Sequence, residues 1–145
     1  MNIGKRIKYI RKLRNKTQKW LGMAVGFSEK TADIRIAQYE SGIRSPKQKL
    51  VTDIATALSV SPHTLSTPEI DNPAGLMHMF FVLEDMYGFH VREIDGELYL
   101  SSSNGTDEEN QSVRDILCMW SEMAAMLESG VICREEYNNW RYNFY

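Results

Sequence analysis

The sequence predicts a mainly α-helical protein in which one β-hairpin interrupts the helices of the C-terminal half. Apolar residues recur at helical spacing through residues 3–65, 76–87 and 113–127. The dipeptide Asp95-Gly96 stands between two short segments of alternating character and is a strong signal for a two-residue hairpin turn. A chain of 145 residues is long enough for one ordinary domain or two very small ones.

Five short helices are predicted in the N-terminal half. Cap and turn residues place them at about 3–14, 17–26, 28–42, 46–58 and 61–65. Thr17, Ser28 and Ser61 are the predicted N-caps of the second, third and fifth helices, because their hydroxyl oxygens accept hydrogen bonds from first-turn amides. Pro46 suits the first turn of the fourth helix. Residues 1–66 therefore form the first predicted domain.

Residues 67–74 are rich in helix breakers and are predicted to be a linker, and residues 75–145 form the second predicted domain. This second domain is expected to begin with a helix over 76–87. A hairpin follows over 89–101, and two further helices extend to about Gly130 and Asn143. One face of the hairpin carries the apolar residues Phe89, Val91, Leu98 and Leu100.

The two halves carry opposite charges. Residues 1–50 contain 13 Lys or Arg against three acids, a net charge of +10, whereas residues 51–145 carry a net charge of −12. Such a division predicts a head that binds a polyanion, attached to an acidic body that does not. An ordinary solvated surface with uneven charge is the alternative.

The sequence contains no pattern typical of catalysis or of a metal site. The three histidines have no metal-ligand spacing with Cys118 or Cys133, and there is no nucleophile motif or glycine-rich phosphate loop. No apolar segment is long enough to cross a bilayer, and the first residues lack the apolar core of an export signal. We therefore expect a cytoplasmic protein that is not an enzyme, with no cofactor, no metal and no membrane partner.

Four pieces of the N-terminal half occur together in an order that is specific as a set. They are IGKRIKYIRKLRNKTQKWLG, GFSEKT, IAQYESGIRSP and LVTDIATALSVSPHTL. This set, spanning residues 3–66, resembles the Cro and phage-repressor type of helix-turn-helix, the XRE family. The resemblance implies a five-helix, lambda-repressor-like domain whose third helix enters the major groove of double-stranded DNA. It also suggests a bacterial or mobile-element origin.

The resemblance implies roles for individual positions. Residues at the start of the second helix approach phosphate, residues of the third helix face base edges, and residues after it approach the backbone. The matching DNA-binding residues are Thr17, Gln18, Ser28, Glu29, Lys30, Thr31, Arg35, Gln38, Arg44 and Lys47. The resemblance further implies an internal ion pair between Arg11 and Glu40.

The sequence departs from the family pattern in its recognition region. Eleven residues separate Ser28 from Glu40 where the common form has about seven, so roughly one helical turn is inserted. The insertion either lengthens the recognition helix or forms a different loop. Anchoring the helix at Ser28 favours Glu29, Lys30 and Thr31 as base-contacting residues. Anchoring it backwards from Tyr39 favours Asp33, Ile34, Arg35 and Gln38. Of these two sets we favour Lys30, Thr31 and Arg35.

These observations predict a sequence-specific transcriptional regulator, a repressor that binds an inverted repeat as a homodimer. The candidate dimerisation residues form an apolar and aromatic stripe in the C-terminal half: Leu117, Trp120, Met123, Leu127 and Trp140. Core packing alone is the other interpretation of that stripe, and a small-molecule or protein effector is a further possible partner of this half. The alternative function is an antitoxin or other inhibitor whose C-terminal domain binds a partner protein, with DNA binding secondary.

Overall fold

The computed structural model describes residues 2–66, 68, 70, 72–102 and 108–144. Within these residues the chain contains eight α-helices and one two-stranded antiparallel hairpin. By its internal contacts the chain divides into two units. The first unit comprises the described residues of Met1–Glu69 and Asn138–Tyr145, and the second those of Ile70–Tyr137.

The five helices predicted for the N-terminal half are all present. They are α1 (Ile3–Leu13), α2 (Gln18–Ala24), α3 (Ala32–Glu40), α4 (Gln48–Ala57) and α5 (Pro62–Leu65). The starts of α1, α2 and α5 follow from side-chain caps, whereas α3 and α4 have none. Thr17 Oγ1 accepts a hydrogen bond from Trp20 N at 3.0 Å, and Ser61 Oγ accepts one from His63 N at 3.3 Å. Asn2 caps α1, because its Oδ1 accepts a hydrogen bond from Lys5 N at 3.0 Å. Helix α4 begins at Gln48, so Pro46 precedes it and does not lie in its first turn as predicted.

The core of the first unit is built from one apolar stripe of each helix. Its largest fully buried side chains are Ile7, Ile10, Leu21, Ile36, Val51, Ile54, Leu58 and Leu65. The helices α2 and α3 approach so closely that a Cβ on Gly22 would lie 2.4 Å from the Ala32 carbonyl oxygen. Because no side chain separates the two backbones here, Gly22 fixes the angle between α2 and α3.

The predicted start of the third helix was wrong. Residues 28–31 form a turn in which the Ser28 carbonyl oxygen accepts a hydrogen bond from Thr31 N at 3.0 Å, and α3 begins only at Ala32. Thr31, not Ser28, occupies the N-cap position, and its side chain makes no capping hydrogen bond. The inserted residues therefore lie in the turn before α3, and the helix itself is nine residues long.

The C-terminal segment belongs to the first unit, whereas the sequence-based division put all of residues 75–145 into a second domain. Tyr142, at the end of α8 (Arg134–Tyr142), is 3% exposed and is part of the core cluster of the first unit. Its carbonyl oxygen accepts hydrogen bonds from Ser61 N at 2.9 Å and from Thr64 Oγ1 at 2.7 Å. Burying these polar groups requires such a partner, because an unpaired buried donor is costly.

The second unit contains α6 (Pro73–Tyr87), β1 (Phe89–Ile94), β2 (Glu97–Ser102), α7 (Glu108–Glu128) and the first residues of α8. Helix α6 begins inside the predicted linker, with Pro73 in its first turn, because Asn72 Oδ1 accepts a hydrogen bond from Gly75 N. In the hairpin, Val91 faces Leu100 and Phe89 faces Ser102. The predicted apolar face of the ribbon therefore exists.

The second unit leaves most of its large apolar side chains exposed. Among its described residues only Phe89 and Tyr137 are buried hydrophobic residues, with 8% and 7% exposure. Leu98 is 74% exposed and Trp120 is 55% exposed. With only two buried hydrophobic residues among those described, this unit has little core of its own.

None of the helices that the structure describes has both the length and the apolar character needed to cross a bilayer.

Candidate nucleic-acid interface

Helix α3 has two faces of different character. Ala32, Ile36 and Glu40 recur every fourth residue and are buried against the rest of the first unit. The opposite stripe carries side chains at positions i, i+3, i+4 and i+7, which lie above one another on a helix. This outer stripe, here called the α3 outer face, consists of Thr31, Ile34, Arg35 and Gln38. The first three are exposed and Gln38 is half-buried.

A buried ion pair fixes the end of α3 against α1. Arg11 Nε lies 2.6 Å from Glu40 Oε1, and Arg11 Nη2 donates to Glu40 Oε2 at 2.9 Å. Arg11 Nη1 donates to the Lys16 carbonyl oxygen at 2.7 Å, and Gln18 Nε2 donates to Glu40 Oε2 at 2.8 Å. The bidentate pairing orients both planar groups, so α1, α2 and α3 are held at one point.

Arg35 is held by an aromatic pair. Its guanidinium carbon lies 5.0 Å from the centroid of the Phe27 ring, and Phe27 stacks on Tyr39 with a centroid distance of 6.4 Å. A guanidinium within about 6 Å of a ring face is attracted by the ring quadrupole. Phe27 therefore restricts the orientation of Arg35 while the Arg35 side chain stays exposed.

The same two rings line a basic cavity of about 560 Å³ next to Arg35. The cavity is also lined by the cations Arg44, Lys47 and Lys49, which lie in the segment after α3 and at the start of α4, and by one acid, Asp53. Arg44 and Lys47 are exposed, and Lys49 forms an exposed ion pair with Asp53 at 3.0 Å. Because Phe27 and Tyr39 connect this cavity to Arg35, these cations gather around one end of the α3 outer face.

The turn before α3 carries the remaining predicted contacts. Ser28 Oγ and Thr31 Oγ1 are 2.9 Å apart and share a hydrogen bond, and Lys30 is exposed. Glu29 Oε1 accepts a hydrogen bond from Lys19 Nζ at 2.7 Å. That hydrogen bond lowers the pKa of the Glu29 carboxyl and raises the pKa of the Lys19 ammonium, with charge attraction as the second cause of both shifts. Glu29 is thus already paired with α2.

Residues 7–65 match the HTH_3 family model, described as helix-turn-helix. The N-terminal unit contains a helix-turn-helix domain. One similar solved structure is the crystal structure of transcriptional regulator BswR. It is 29% identical, the match covers 59% of this chain and 95% of that chain, and the TM-score is 0.45. No curated protein matches the chain.

In the helix-turn-helix domain two predicted contacts have structural partners of their own. The Thr17 hydroxyl oxygen caps α2, and one amide hydrogen of Gln18 is used by Glu40. Arg6, a basic residue of α1, is half-buried. It donates from Nε to the Thr64 carbonyl oxygen at 2.9 Å and lies against the Tyr142 ring. Arg6 therefore has a structural role in joining α1 to α5 and the C-terminal segment.

Sequence reasoning missed two members of this surface. Phe27 was part of a motif but received no role, and Lys49 was counted only as a charge. The position of Phe27 directly after Gly26 is the sequence signal that could have found it. A large aromatic side chain beside an exposed helix needs an apolar or cationic partner. Nothing in the local sequence points to Lys49, because its position depends on how α4 packs.

The predicted dimerisation stripe is divided between the two units. On α7, Leu117, Met123 and Leu127 are half-buried and Trp120 is exposed, with Trp120 Nε1 donating to Tyr137 Oη at 2.8 Å. Trp140 lies in the first unit, where its ring packs edge-on against Phe144 at a centroid distance of 5.6 Å. The α7 residues and Trp140 therefore belong to different units, and their role in dimerisation stays a prediction.

Proposed function

We propose that this protein is a transcriptional regulator that recognises a specific sequence in double-stranded DNA and acts as a repressor. The observation that carries the proposal is the α3 outer face, which stands opposite the buried face of the helix and beside a cluster of cations. The second helix of a helix-turn-helix motif lies in the major groove, and in this protein that helix is α3. The +10 charge of residues 1–50 supplies the attraction to phosphate.

The proposed contacts divide by chemistry. Arg35 offers a guanidinium to guanine, Gln38 offers an amide to adenine, and Ile34 offers an apolar surface to the thymine methyl group. Arg44 and Lys47 are the proposed phosphate contacts, and they position the protein without reading sequence. Four further predicted contacts precede α3 or stand at its start: Ser28, Glu29, Lys30 and Thr31. Of these we propose Lys30 and Thr31 as contacts near the helix N-terminus.

Selection of bound sequences from a random duplex pool, followed by titration of the selected site, tests this proposal. Arg35→Ala is expected to relax discrimination at one base position by about 1–3 kcal/mol. Affinity for the selected site is expected to fall with salt at a log–log slope of about 0.9 per neutralised phosphate. The matched control is Lys8→Ala, which removes one exposed cation from α1 and should leave discrimination at every position unchanged.

Two outcomes argue against the assignment. Recovery of no enriched sequence contradicts sequence-specific binding. Equal weakening of all sequences by Arg35→Ala contradicts a base contact and makes Arg35 a backbone contact, as is expected for Arg44→Ala.

We further propose that the active form is a homodimer that binds an inverted repeat. The supporting observation is the exposed apolar surface of the second unit, on which Trp120 and Leu98 are more than half exposed. Burial of apolar surface is the main driving force of association, and exposed patches of this kind mark interaction sites. Two heads related by a twofold axis would contact half-sites about 34 Å apart.

Sedimentation equilibrium of the full chain tests the dimer. We expect a dimer for the unmodified chain and a monomer for Trp120→Glu, because the substitution places a charge in the proposed interface. Ser112→Glu, an exposed polar position on the same helix, is the control and should remain dimeric. A monomeric unmodified chain would favour the alternative function, an inhibitor whose second unit binds a different protein through the same surface.

A further inference from the structure

The second unit contains a cavity in which positive charge is concentrated. Its volume is about 410 Å³, and it is lined by the hairpin residues Arg92, Ser101 and Ser102 and the α7 residues Arg114, Leu117, Cys118 and Ser121. Only four basic residues occur in residues 51–145, against 16 acids, and two of the four line this one cavity. Among the described residues, no carboxylate belongs to its lining.

The charge of Arg92 is held in place by its neighbours. Arg92 Nε donates to His90 Nε2 at 2.8 Å, and Ser101 Oγ lies 3.0 Å from the same nitrogen. His90 Nδ1 is 3.1 Å from the Gly88 carbonyl oxygen, which fixes the ring. The two terminal amino groups of Arg92 have no hydrogen-bond partner within the described residues. They therefore remain for a ligand.

We propose that this cavity binds a small organic anion, whose carboxylate or phosphate group is held by the two terminal amino groups of Arg92 beside the positive charge of Arg114. Guanidinium groups match the geometry of both anions and bind them through paired hydrogen bonds. The hydroxyls of Ser102 and Ser121 supply further donors, and Leu117 supplies an apolar wall for the carbon part of the ligand. The volume lies in the range of about 300–1,000 Å³ that small-molecule sites occupy.

The effector role of this anion rests on the proposed function, whereas the binding itself does not. A ligand here contacts the hairpin and α7 together, and α7 carries the proposed dimerisation stripe. Binding would therefore alter the position of α7 in the dimer. Alkylation of Cys118 tests anion binding without DNA, so a negative result is distinguishable from a failure of the regulator assignment.

Cys118 allows a direct test, because its thiol lines the cavity while Cys133 does not. Iodoacetate carries a carboxylate and iodoacetamide is its neutral counterpart, and both alkylate the same thiolate. The ratio of their rates at one cysteine therefore cancels the intrinsic reactivity of that thiolate. We expect the ratio at Cys118 to exceed the ratio at Cys133 by about tenfold, because clefts of one charge concentrate small ions of the opposite charge.

The variants and competitors sharpen the result. Arg92→Gln combined with Arg114→Gln should bring the Cys118 ratio down to that of Cys133, whereas Lys8→Gln combined with Lys12→Gln, an equal charge change at exposed positions of α1, should leave it unchanged. At matched ionic strength, slowing of the iodoacetate reaction by sodium butyrate assigns a carboxylate site, and slowing by sodium phosphate assigns a phosphate site. Equal ratios at the two cysteines of the unmodified chain, or slowing by neither salt, would overturn the proposal.

The double variant also separates a ligand site from a subunit contact. Sedimentation of Arg92→Gln/Arg114→Gln should give the same association state as the unmodified chain. A dimer that dissociates in this variant would assign the two arginines to the subunit interface and overturn the ligand site.

Discussion

Tyr142 is expected to stabilise the helix-turn-helix domain from the far end of the chain. The perturbation is Tyr142→Ala, which removes the 3% exposed ring and leaves the backbone carbonyl that accepts from Ser61 and Thr64. A buried tyrosine removes about 200 Å² of surface from water, worth about 5 kcal/mol at 25 cal/mol per Å². Residual burial in the unfolded chain reduces this, so we expect a loss of about 3–5 kcal/mol.

Amide hydrogen exchange provides the assay, because it reports on the first unit separately. The core amides of Ile7 and Ile10 exchange through opening of this unit, and a loss of 3–5 kcal/mol accelerates them by roughly 100-fold to 5,000-fold. Tyr99→Ala is the control, since it removes the same side chain from a position in the second unit that is 46% exposed. An acceleration below about tenfold in Tyr142→Ala would refute the placement of this ring in the core.

Two further predictions concern charged side chains of the first unit. Glu40→Ala should destabilise this unit by about 3–5 kcal/mol in the same exchange assay, because it leaves Arg11 buried without its partner. Arg11→Met/Glu40→Leu should lose less than the single variant, and a larger loss would contradict the desolvation argument. For the Glu29 and Lys19 pair, the NMR titration midpoint of Glu29 should lie below its ordinary value and rise in Lys19→Gln. Because folding lowers the pKa of Glu29, the small contribution of this pair to stability is present above the ordinary Glu pKa and is lost as the pH falls through the folded value. An unchanged Glu29 midpoint would contradict the pairing.

The helices of the first unit were predictable because their signals are local. Thr17 caps α2 and Ser61 caps α5 through bonds that span two or three residues, and the apolar stripes follow the helical period. The start of α3 was not predictable in this way. Ser28 and Thr31 both have the chemistry of an N-cap. The choice between them is not recorded in the local sequence, and Ala32, the first residue of α3, packs directly against Gly22 of α2.

The candidate site was predicted in outline but not in detail. Of the four residues that backward anchoring from Tyr39 favours, Ile34, Arg35 and Gln38 lie on the α3 outer face and Asp33 does not. Their contact with bases stays a prediction. The support of Arg35 by Phe27 was missed, because seven residues, including a turn, separate the two in sequence. The place of Tyr142 was also missed, since 78 residues separate it from Thr64 and no local pattern records a contact of that range.

The position of Tyr142 changes how the two units can be separated. A chain cut after residue 67 would lose the second unit and also the C-terminal segment that belongs to the first unit. Weak DNA binding or unfolding of such a chain would therefore say nothing about dimerisation. The second unit is inserted between α5 and Asn138, and replacing residues 70–137 by a Gly/Ser linker removes it alone. Because Tyr142 bonds to Ser61 and Asn138 is about 6 Å away along α8, a linker of about 12 residues, with a span near 18 Å, is long enough. We expect this chain to keep the slow exchange of Ile10, to sediment as a monomer and to bind a selected operator more weakly. A dimer of the shortened chain would contradict the assignment of dimerisation to the second unit, and fast exchange would contradict the independence of the first.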